Sequence, residues 1–80
     1  MHYVYLIEIT SVAGRRYTGY TENLRQRMMH HNAGQNRSTV LHKPWRLRTY
    51  LAFATKRQAL AFESYLKTGS GHAFANKRLW

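Results

Sequence analysis

The sequence predicts an α+β domain in which helices flank a small, largely antiparallel three-stranded sheet, in the order β-β-α-β-α-α. Apolar residues alternate along three short segments, as in strands, and they recur at helical spacing in two later segments. A capping box precedes one of those helices. The chain has 80 residues, and we expect a single domain spanning residues 1–80. A second hydrophobic core would be too small to offset the entropy of ordering its residues.

The first twenty residues predict a β-hairpin. Residues 3–9 are apolar on one face and mostly apolar on the other, which is typical of a central strand. Residues 10–15 supply turn residues, and residues 16–20 predict a short second strand. The central position of the first strand means that both of its faces should be covered.

A first helix is predicted over residues 24–32. Thr21 or Asn23 would cap its start, because either side chain can accept a hydrogen bond from a free backbone amide. Arg27 and His31 are four residues apart and therefore share a face of this helix. The polar and basic residues 35–43 that follow predict an exposed loop.

The remaining elements are a third strand and two helices. After Pro44, apolar residues alternate with others and predict one continuous strand; they are Trp45, Leu47, Thr49, Leu51 and Phe53. The capping box at residues 55–58 starts a second helix, and Gly69 would close it. A short third helix over residues 70–80 would carry Phe74 and Leu79 inward.

The charge balance points to a polyanionic partner. There are 13 Lys or Arg residues against 3 acidic ones, a net charge of +10, and the cations are spread along the chain in a way that suits a basic surface on a folded body. The acids are Glu8, Glu22 and Glu63. Three carboxylates are too few for a two-metal nuclease.

Other features exclude further classes. No segment approaches the length of a membrane span, and the N-terminus has no basic region of the kind that begins a signal peptide. The chain has no cysteine, so we expect a cytoplasmic protein without contact to a membrane. The sequence also lacks a glycine-rich phosphate loop, a serine elbow and an aspartate for a catalytic triad.

Several candidate residues have ordinary structural explanations. Glu63 would form a helical ion pair with Lys67, four residues later, and such a pair contributes a few tenths of a kcal/mol. The tyrosines of the first two strands would stabilise the hairpin by cross-strand packing. His30 and His31 are adjacent and point to different faces of a helix, which does not suit a zinc site.

The ordered set of these residues resembles the GIY-YIG nuclease superfamily. The resemblance rests on a Tyr-x-Tyr strand, the tripeptide at residues 17–19, the segment from Thr21 to His31, and the late helical Glu63. It spans nearly the whole chain and is greatest for small stand-alone bacterial members of the UPF0213 type. Residues 61–67 and 70–75 support that subgroup.

The resemblance implies a catalytic set made of Tyr5, Tyr17, Arg27, His31 and Glu63. Glu63 would hold one Mg²⁺ or Mn²⁺ ion, and Asn76 matches a polar residue of the family more loosely. This sequence also departs from the family pattern. The first tripeptide lacks its glycine, Thr18 replaces an isoleucine, and Tyr20 stands where some relatives have lysine.

Phosphodiester hydrolysis requires a base for water, stabilisation of the phosphorane and relief of charge on the leaving oxygen. Tyr5 or Tyr17 would take the proton from water, and the sequence does not choose between them. Arg27 would hold a nonbridging oxygen, His31 would orient or relay a proton, and Glu63 would place the ion, with water filling its other positions.

We therefore expect a metal-dependent DNA endonuclease that acts as a monomer or weak dimer. The alternative is a non-catalytic nucleic-acid-binding module. Five basic side chains are expected to contact DNA: Arg25, Arg37, Arg46, Arg48 and Lys67. Tyr20, Tyr50 and Trp45 lie near such cations in the sequence, which favours single-stranded or unpaired DNA, although Trp45 and Tyr50 would equally suit a core.

Overall fold

Three strands and three helices make up the computed structural model, which describes residues 1–9, 15–33 and 44–80. The elements are β1 (His2–Ile9), β2 (Arg16–Thr21), α1 (Leu24–Asn32), β3 (Trp45–Phe53), α2 (Lys56–Leu66) and α3 (Gly69–Arg78). The predicted fold class and element order are confirmed. Residues 10–14 and 34–43, on which the first turn and the basic loop were predicted, lie outside the described residues.

The sheet has the strand order β2-β1-β3, and β1 is antiparallel to both neighbours. In the hairpin Tyr5 lies opposite Gly19. The amide of Ile9 donates to the carbonyl of Arg15 at 3.2 Å, which joins the two strands at the turn end. The central strand is thus β1, as its two apolar faces predicted.

Each face of the sheet has its own core. On one face, Val4 and Leu6 of β1 pack against α2 and α3 through Ala59, Leu66 and Ala75. On the other face a second cluster lies beneath α1; its buried members are Tyr5, Ile7, Ile9 and Trp45. Because β1 contributes to both clusters, it is covered on both sides.

A register shift in β3 divides a strand whose sequence alternates without interruption. Ile7 pairs with Leu47, but Leu6 pairs with Thr49, so that Arg48 is the extra residue of a β-bulge. As a result Trp45 and Leu47 face α1, whereas Leu51 and Phe53 face α2 and α3. The predicted third strand is present, but its apolar residues do not share one face, because an inserted residue reverses the alternation.

The helices begin at the predicted capping residues. Asn23 accepts from the amide of Gln26 at 3.0 Å at the start of α1, and Thr55 accepts from Gln58 at 3.2 Å at the start of α2. The predicted closure of α2 by Gly69 is wrong, because α2 ends at Leu66 and Gly69 is the first residue of α3.

The third helix packs closely on the second through Gly71. A Cβ placed on Gly71 would lie 1.8 Å from the carbonyl oxygen of Tyr65. Phe74 does not point into the core as expected, since its side chain is 37% exposed and forms an edge contact with Phe62. Leu79 is partly buried against the core, as predicted.

Within the described part of the chain, no helix has the length and apolar character needed to cross a membrane.

Candidate active site

Tyr5 is the centre of the site. It lies on the middle strand, and none of its surface is exposed. Its hydroxyl is 2.8 Å from Nε2 of His31, a hydrogen bond that links the sheet to α1. A buried tyrosine hydroxyl needs such a partner, because an unpaired polar group in the core costs free energy.

Gly19 leaves the space that Tyr5 occupies. The two residues are cross-strand partners, and a Cβ on residue 19 would lie 2.5 Å from the Tyr5 hydroxyl oxygen and 2.6 Å from Cζ. No φ in the left-handed range is involved at Gly19. The glycine is therefore required by close approach of a side chain, and the sequence motif alone did not reveal this reason.

Arg27 and His31 are positioned by α1. The helix is fixed at both ends: Asn23 caps its start, and at its end the side chain of Asn32 donates to the carbonyl of Trp45 at 3.1 Å. His31 is completely buried. Burial lowers the pKa of His31, and the positive charges of Arg27 and His30 act in the same direction. The imidazole is therefore neutral at pH 7.

Tyr17 lies in an aromatic cluster with Tyr5, His31 and Trp45. Its ring centroid is 6.3 Å from that of Tyr5 and 5.2 Å from that of His31, and the contact with His31 is edge-on. Unlike Tyr5, Tyr17 is partly exposed. The two tyrosines that the sequence left as equal candidates thus differ in their access to solvent.

Opposite charges act on the Tyr5 hydroxyl. Burial raises the pKa of Tyr5 to about 12, and the neighbouring Tyr17 and the negative charge of Glu63 contribute to that rise. The positive charge and hydrogen-bonding capacity of Arg27 oppose it. Arg27 and Glu63 are consequently both within electrostatic range of one buried hydroxyl, although they belong to helices on opposite faces of the sheet.

Glu63 also forms the helical ion pair that its spacing predicted. Its carboxylate lies 3.7 Å from Nζ of Lys67, and its side chain is 19% exposed. Lys67 itself is mostly exposed, so this pair contributes little to stability. The ion pair and a role in the site are compatible, because a carboxylate can accept from several partners.

The predicted DNA contacts are not all on this side of the molecule. Arg46 and Arg48 pair with Glu8, at 2.9 Å and 3.7 Å, on the sheet face that carries α2 and α3. Arg25 lies on α1, and Lys67 lies beside Glu63. Arg37 lies outside the described residues.

The three aromatic residues expected to contact unpaired bases have different surroundings. Trp45 is 6% exposed and belongs to the core, and Tyr20 stacks on His2, which also contacts its hydroxyl at 2.8 Å. Tyr50 is 52% exposed. It borders an open groove of about 320 Å³ that is lined by Tyr3, Glu22, Asn23, Leu24, Arg25 and Tyr50.

Asn76, which was matched loosely to a polar residue of the family, has contacts that the sequence did not predict. Nη1 of Arg16 donates to Oδ1 of Asn76 at 2.9 Å, and the Arg16 guanidinium lies 4.6 Å from the centre of the Trp80 ring. The signal in the sequence is weak. His72 and Asn76 are four residues apart on α3, but nothing in the pattern indicates that this face meets the start of β2.

The sheet, the buried tyrosine and the helical arginine and histidine define a GIY-YIG catalytic domain. The family model of that domain matches residues 1–77, and the chain belongs to the GIY-YIG family. Membership in this family implies a nuclease-type function with DNA as the substrate.

The relatives of the chain are UPF0213 proteins. It is 38% identical over 68 residues to one from Bacillus pumilus, which covers 84% of this chain and 67% of the relative. It is also 38% identical over 68 residues to a UPF0213 protein from Halobacterium salinarum, and this alignment covers 84% of this chain and 86% of the relative. The solution NMR structure of a UPF0213 protein from Bacillus halodurans has a TM-score of 0.56 and 30% identity, over 95% of this chain and 82% of that one.

Proposed function

We propose that the chain is a metal-dependent DNA endonuclease that hydrolyses phosphodiester bonds at the site around Tyr5. One observation carries the proposal: the buried Tyr5 hydroxyl lies 2.8 Å from Nε2 of His31, and Arg27 from one layer and Glu63 from the other both act on it electrostatically. A cation and a carboxylate that act on the same hydroxyl suit a reaction in which a phosphate gains negative charge.

Tyr17 is the tyrosine that we assign to the attacking water. Burial raises the pKa of Tyr5 to about 12, and the Tyr5 hydroxyl is already bound to His31. A hydroxyl with such a pKa holds its proton at neutral pH. Tyr5 is therefore assigned a positioning role, and the partly exposed Tyr17 is assigned to the water. To accept the proton of the water Tyr17 would have to be a phenolate, a form that a nearby cation or metal ion would favour.

Arg27 is assigned to the reacting phosphate. A guanidinium can donate two parallel hydrogen bonds to nonbridging oxygens, and such charge-assisted bonds are about twice as strong as neutral ones. Its proximity to Tyr5 places this charge at the centre of the cluster. His31 is neutral and buried, so its role is to hold Tyr5 in position.

Glu63 is the residue that would hold a divalent cation. No three His, Cys, Asp or Glu side chains come together among residues 1–9, 15–33 and 44–80. One carboxylate fits Mg²⁺ or Mn²⁺ nonetheless, because such ions keep several waters and take oxygen ligands from substrate phosphates. When bound, the ion would supply charge stabilisation to the phosphate and the leaving oxygen.

The groove beside Tyr50 supports a preference for single-stranded DNA. Tyr3 and Tyr50 meet edge to face with their centroids 5.9 Å apart, and Arg25 lies at the rim. Tyr3 and Tyr5 are two residues apart on one face of β1, so the groove begins roughly 7 Å from Tyr5 along the strand. An exposed ring beside a cation can stack on an unpaired base while the cation contacts the backbone.

The test is a cleavage assay with end-labelled single-stranded, double-stranded and flapped DNA in Mg²⁺, in Mn²⁺ and in chelator. We expect internal cleavage that requires the metal and is fastest on the single strand. Binding without cleavage in every metal condition would instead favour a non-catalytic nucleic-acid-binding module. Duplex cleavage at the rate of the matched single strand would contradict the strand preference alone.

Tyr50→Ala tests the groove. Loss of one stacked base should weaken binding to a single strand by about 1–3 kcal/mol, with a smaller effect on duplex. Leu60→Ala, which truncates another exposed apolar side chain, is the control. Equal effects of the two substitutions on binding would remove the groove from the proposal.

A further inference from the structure

A second cavity lies between β2 and the helices α2 and α3, on the sheet face opposite Tyr5. Its volume is about 310 Å³, and it is lined by Arg16, Thr18, Leu66, His72, Ala75, Asn76 and Trp80. Thr18 stands between Tyr17 and Gly19 on β2, and Leu66 follows Glu63 by three residues on α2. Residues at that spacing on a helix have their Cβ atoms about 5–6 Å apart, so Glu63 lies one helical turn before a residue that lines the cavity.

Arg16 has two partners at this cavity. Its guanidinium donates to Oδ1 of Asn76 at 2.9 Å and lies 4.6 Å from the centre of the Trp80 ring. A guanidinium carries five N–H donors, and the bond to Asn76 uses one of them. Because Arg16 is only a donor, the oxygen of the Asn76 amide faces it, and the amide nitrogen of Asn76 points elsewhere.

Arg16 carries the formal positive charge among the side chains that line the cavity. No acidic side chain is among the residues that line it. Glu8 is the Cα partner of Arg16 across the sheet, but its carboxylate pairs with Arg46 at 2.9 Å and Arg48 at 3.7 Å. The acid closest to Arg16 in the sheet is thus already shared by two other arginines.

We infer that this cavity binds a backbone phosphate of the DNA strand. Arg16 and His72 contact the phosphate, and Asn76 and Trp80 position Arg16. A pre-positioned guanidinium beside hydroxyl and amide donors matches the geometry of phosphate oxygens. The inference rests on the proposed function only in taking DNA as the polyanion.

The experiment measures binding at Trp80 without any metal. The chain has 2 tryptophans, so ¹⁵N-labelled protein gives two indole N–H signals, and Trp80→Phe assigns them. In chelator, (dT)₄ is added, and inorganic phosphate is added in a separate titration. We expect saturable shifts of the Trp80 signal with both, and little change at the buried Trp45.

Three variants separate a phosphate site from bulk charge and from a structural contact. Arg16→Ala should weaken (dT)₄ binding by about tenfold or more, as expected for loss of hydrogen bonds to a charged group. Arg78→Ala removes the same charge from an exposed position on α3 outside the cavity, and it should have a smaller effect. His72→Gln keeps the contacts among Arg16, Asn76 and Trp80, and it should weaken binding several-fold at an unchanged melting temperature.

Three outcomes would overturn the inference. The first is that Arg16→Ala and Arg78→Ala weaken (dT)₄ binding equally. The second is that the Trp80 signal does not move while (dT)₄ binds. The third is that His72→Gln binds (dT)₄ normally and Arg16→Ala unfolds. The last result would mean that Arg16 only ties the end of α3 to the sheet. The titration contains no metal, so a Trp80 shift would support the phosphate site even if the protein had no nuclease activity. Nuclease activity combined with an unchanged Trp80 signal would contradict the phosphate site but not the proposed function.

Discussion

The hydroxyl of Tyr5 lies where the side chain of residue 19 would begin. A Cβ at Gly19 would be 2.5 Å from this oxygen, and the ring carbon Cζ would be 2.6 Å away. Tyr5 cannot easily move aside, because it is buried in the core and bound to His31. Gly19 is thus fixed by the position of its cross-strand neighbour.

Gly19→Ala should therefore destabilise the protein by about 1–3 kcal/mol, as overpacking of a core usually does, and should displace Tyr5 from His31. Urea unfolding and cleavage rate are the measurements. Gly69→Ala is the matched control, since a Cβ there meets nothing within 4 Å. Equal stability of the two variants would show that the site accommodates the extra carbon.

Tyr17→Phe and Tyr5→Phe should separate two roles. Loss of the hydroxyl that handles water should lower kcat by about 10²-fold or more. Tyr5→Phe leaves Nε2 of His31 without its hydroxyl partner and should cost about 1–3 kcal/mol of stability, with the smaller effect on kcat. Single-turnover kinetics and urea unfolding of both variants check this. A larger loss of kcat in Tyr5→Phe would reverse the assignment.

Glu63→Gln should abolish cleavage while the fold and most of the DNA affinity are retained. The amide keeps the shape of the side chain but loses the charge that would hold a cation. Glu8→Gln removes the same charge from a strand position where the carboxylate pairs with exposed arginines, and should change the rate by about twofold at most. Near wild-type cleavage by Glu63→Gln in Mg²⁺ would rule out the metal assignment.

Arg27→Ala should slow cleavage by at least about 10²-fold, as removal of a positioned transition-state donor does. Arg57→Ala is the control, because it loses the same charge from the exposed first turn of α2. Rates at saturating DNA make the comparison independent of affinity. If both variants were equally slow, Arg27 would contribute only general positive charge.

Stability should fall as the pH falls below about 6.5. Burial and the charges of Arg27 and His30 lower the pKa of His31 in the folded state, so the unfolded chain takes up this proton first. The contribution is present above the unfolded pKa of about 6.5 and is lost below it, with a slope of at most about 1.4 kcal/mol per pH unit. Urea unfolding between pH 5 and 7.5 measures it.

His31→Gln should flatten that dependence, whereas His72→Gln, at an exposed position, should not. The glutamates contribute equally to the pH dependence of wild type and His31→Gln, so the difference between the two slopes of stability against pH measures the contribution of His31. Parallel pH profiles for wild type and His31→Gln would contradict a lowered pKa.

The sequence predicted the elements well because their local signals agree. Asn23 and Thr55 cap helices as their positions indicated, and β1 has the two apolar faces of a central strand. The bulge at Arg48 could not be predicted, because the apolar residues of β3 alternate without a break in the sequence. In the structure the inserted residue turns the side chains that follow it to the opposite face of the sheet. The reversal puts Tyr50 on the same sheet face as Trp45, beside Tyr3, which an unbroken alternation would not predict.

The site was only partly accessible to sequence reasoning. The motif brought together Tyr5, Tyr17, Arg27 and His31, which share one face of the sheet. It did not distinguish the two tyrosines, since burial and hydrogen bonding depend on tertiary packing. The cluster of Arg16, Asn76 and Trp80 joins the start of β2 to the end of α3, a contact between distant segments that no local pattern records.

The residues of the proposed site come from helices on both faces of the sheet, and this determines when in its synthesis the protein can act. Four residues of the proposed catalytic set precede β3 in the chain, and Glu63 follows it on the opposite layer. A chain released only as far as β3 would carry the arginine and both tyrosines without the carboxylate. In the proposed site, hydrolysis must then await the docking of α2, so an incompletely synthesised or locally unfolded molecule cannot cut the nucleic acid around it.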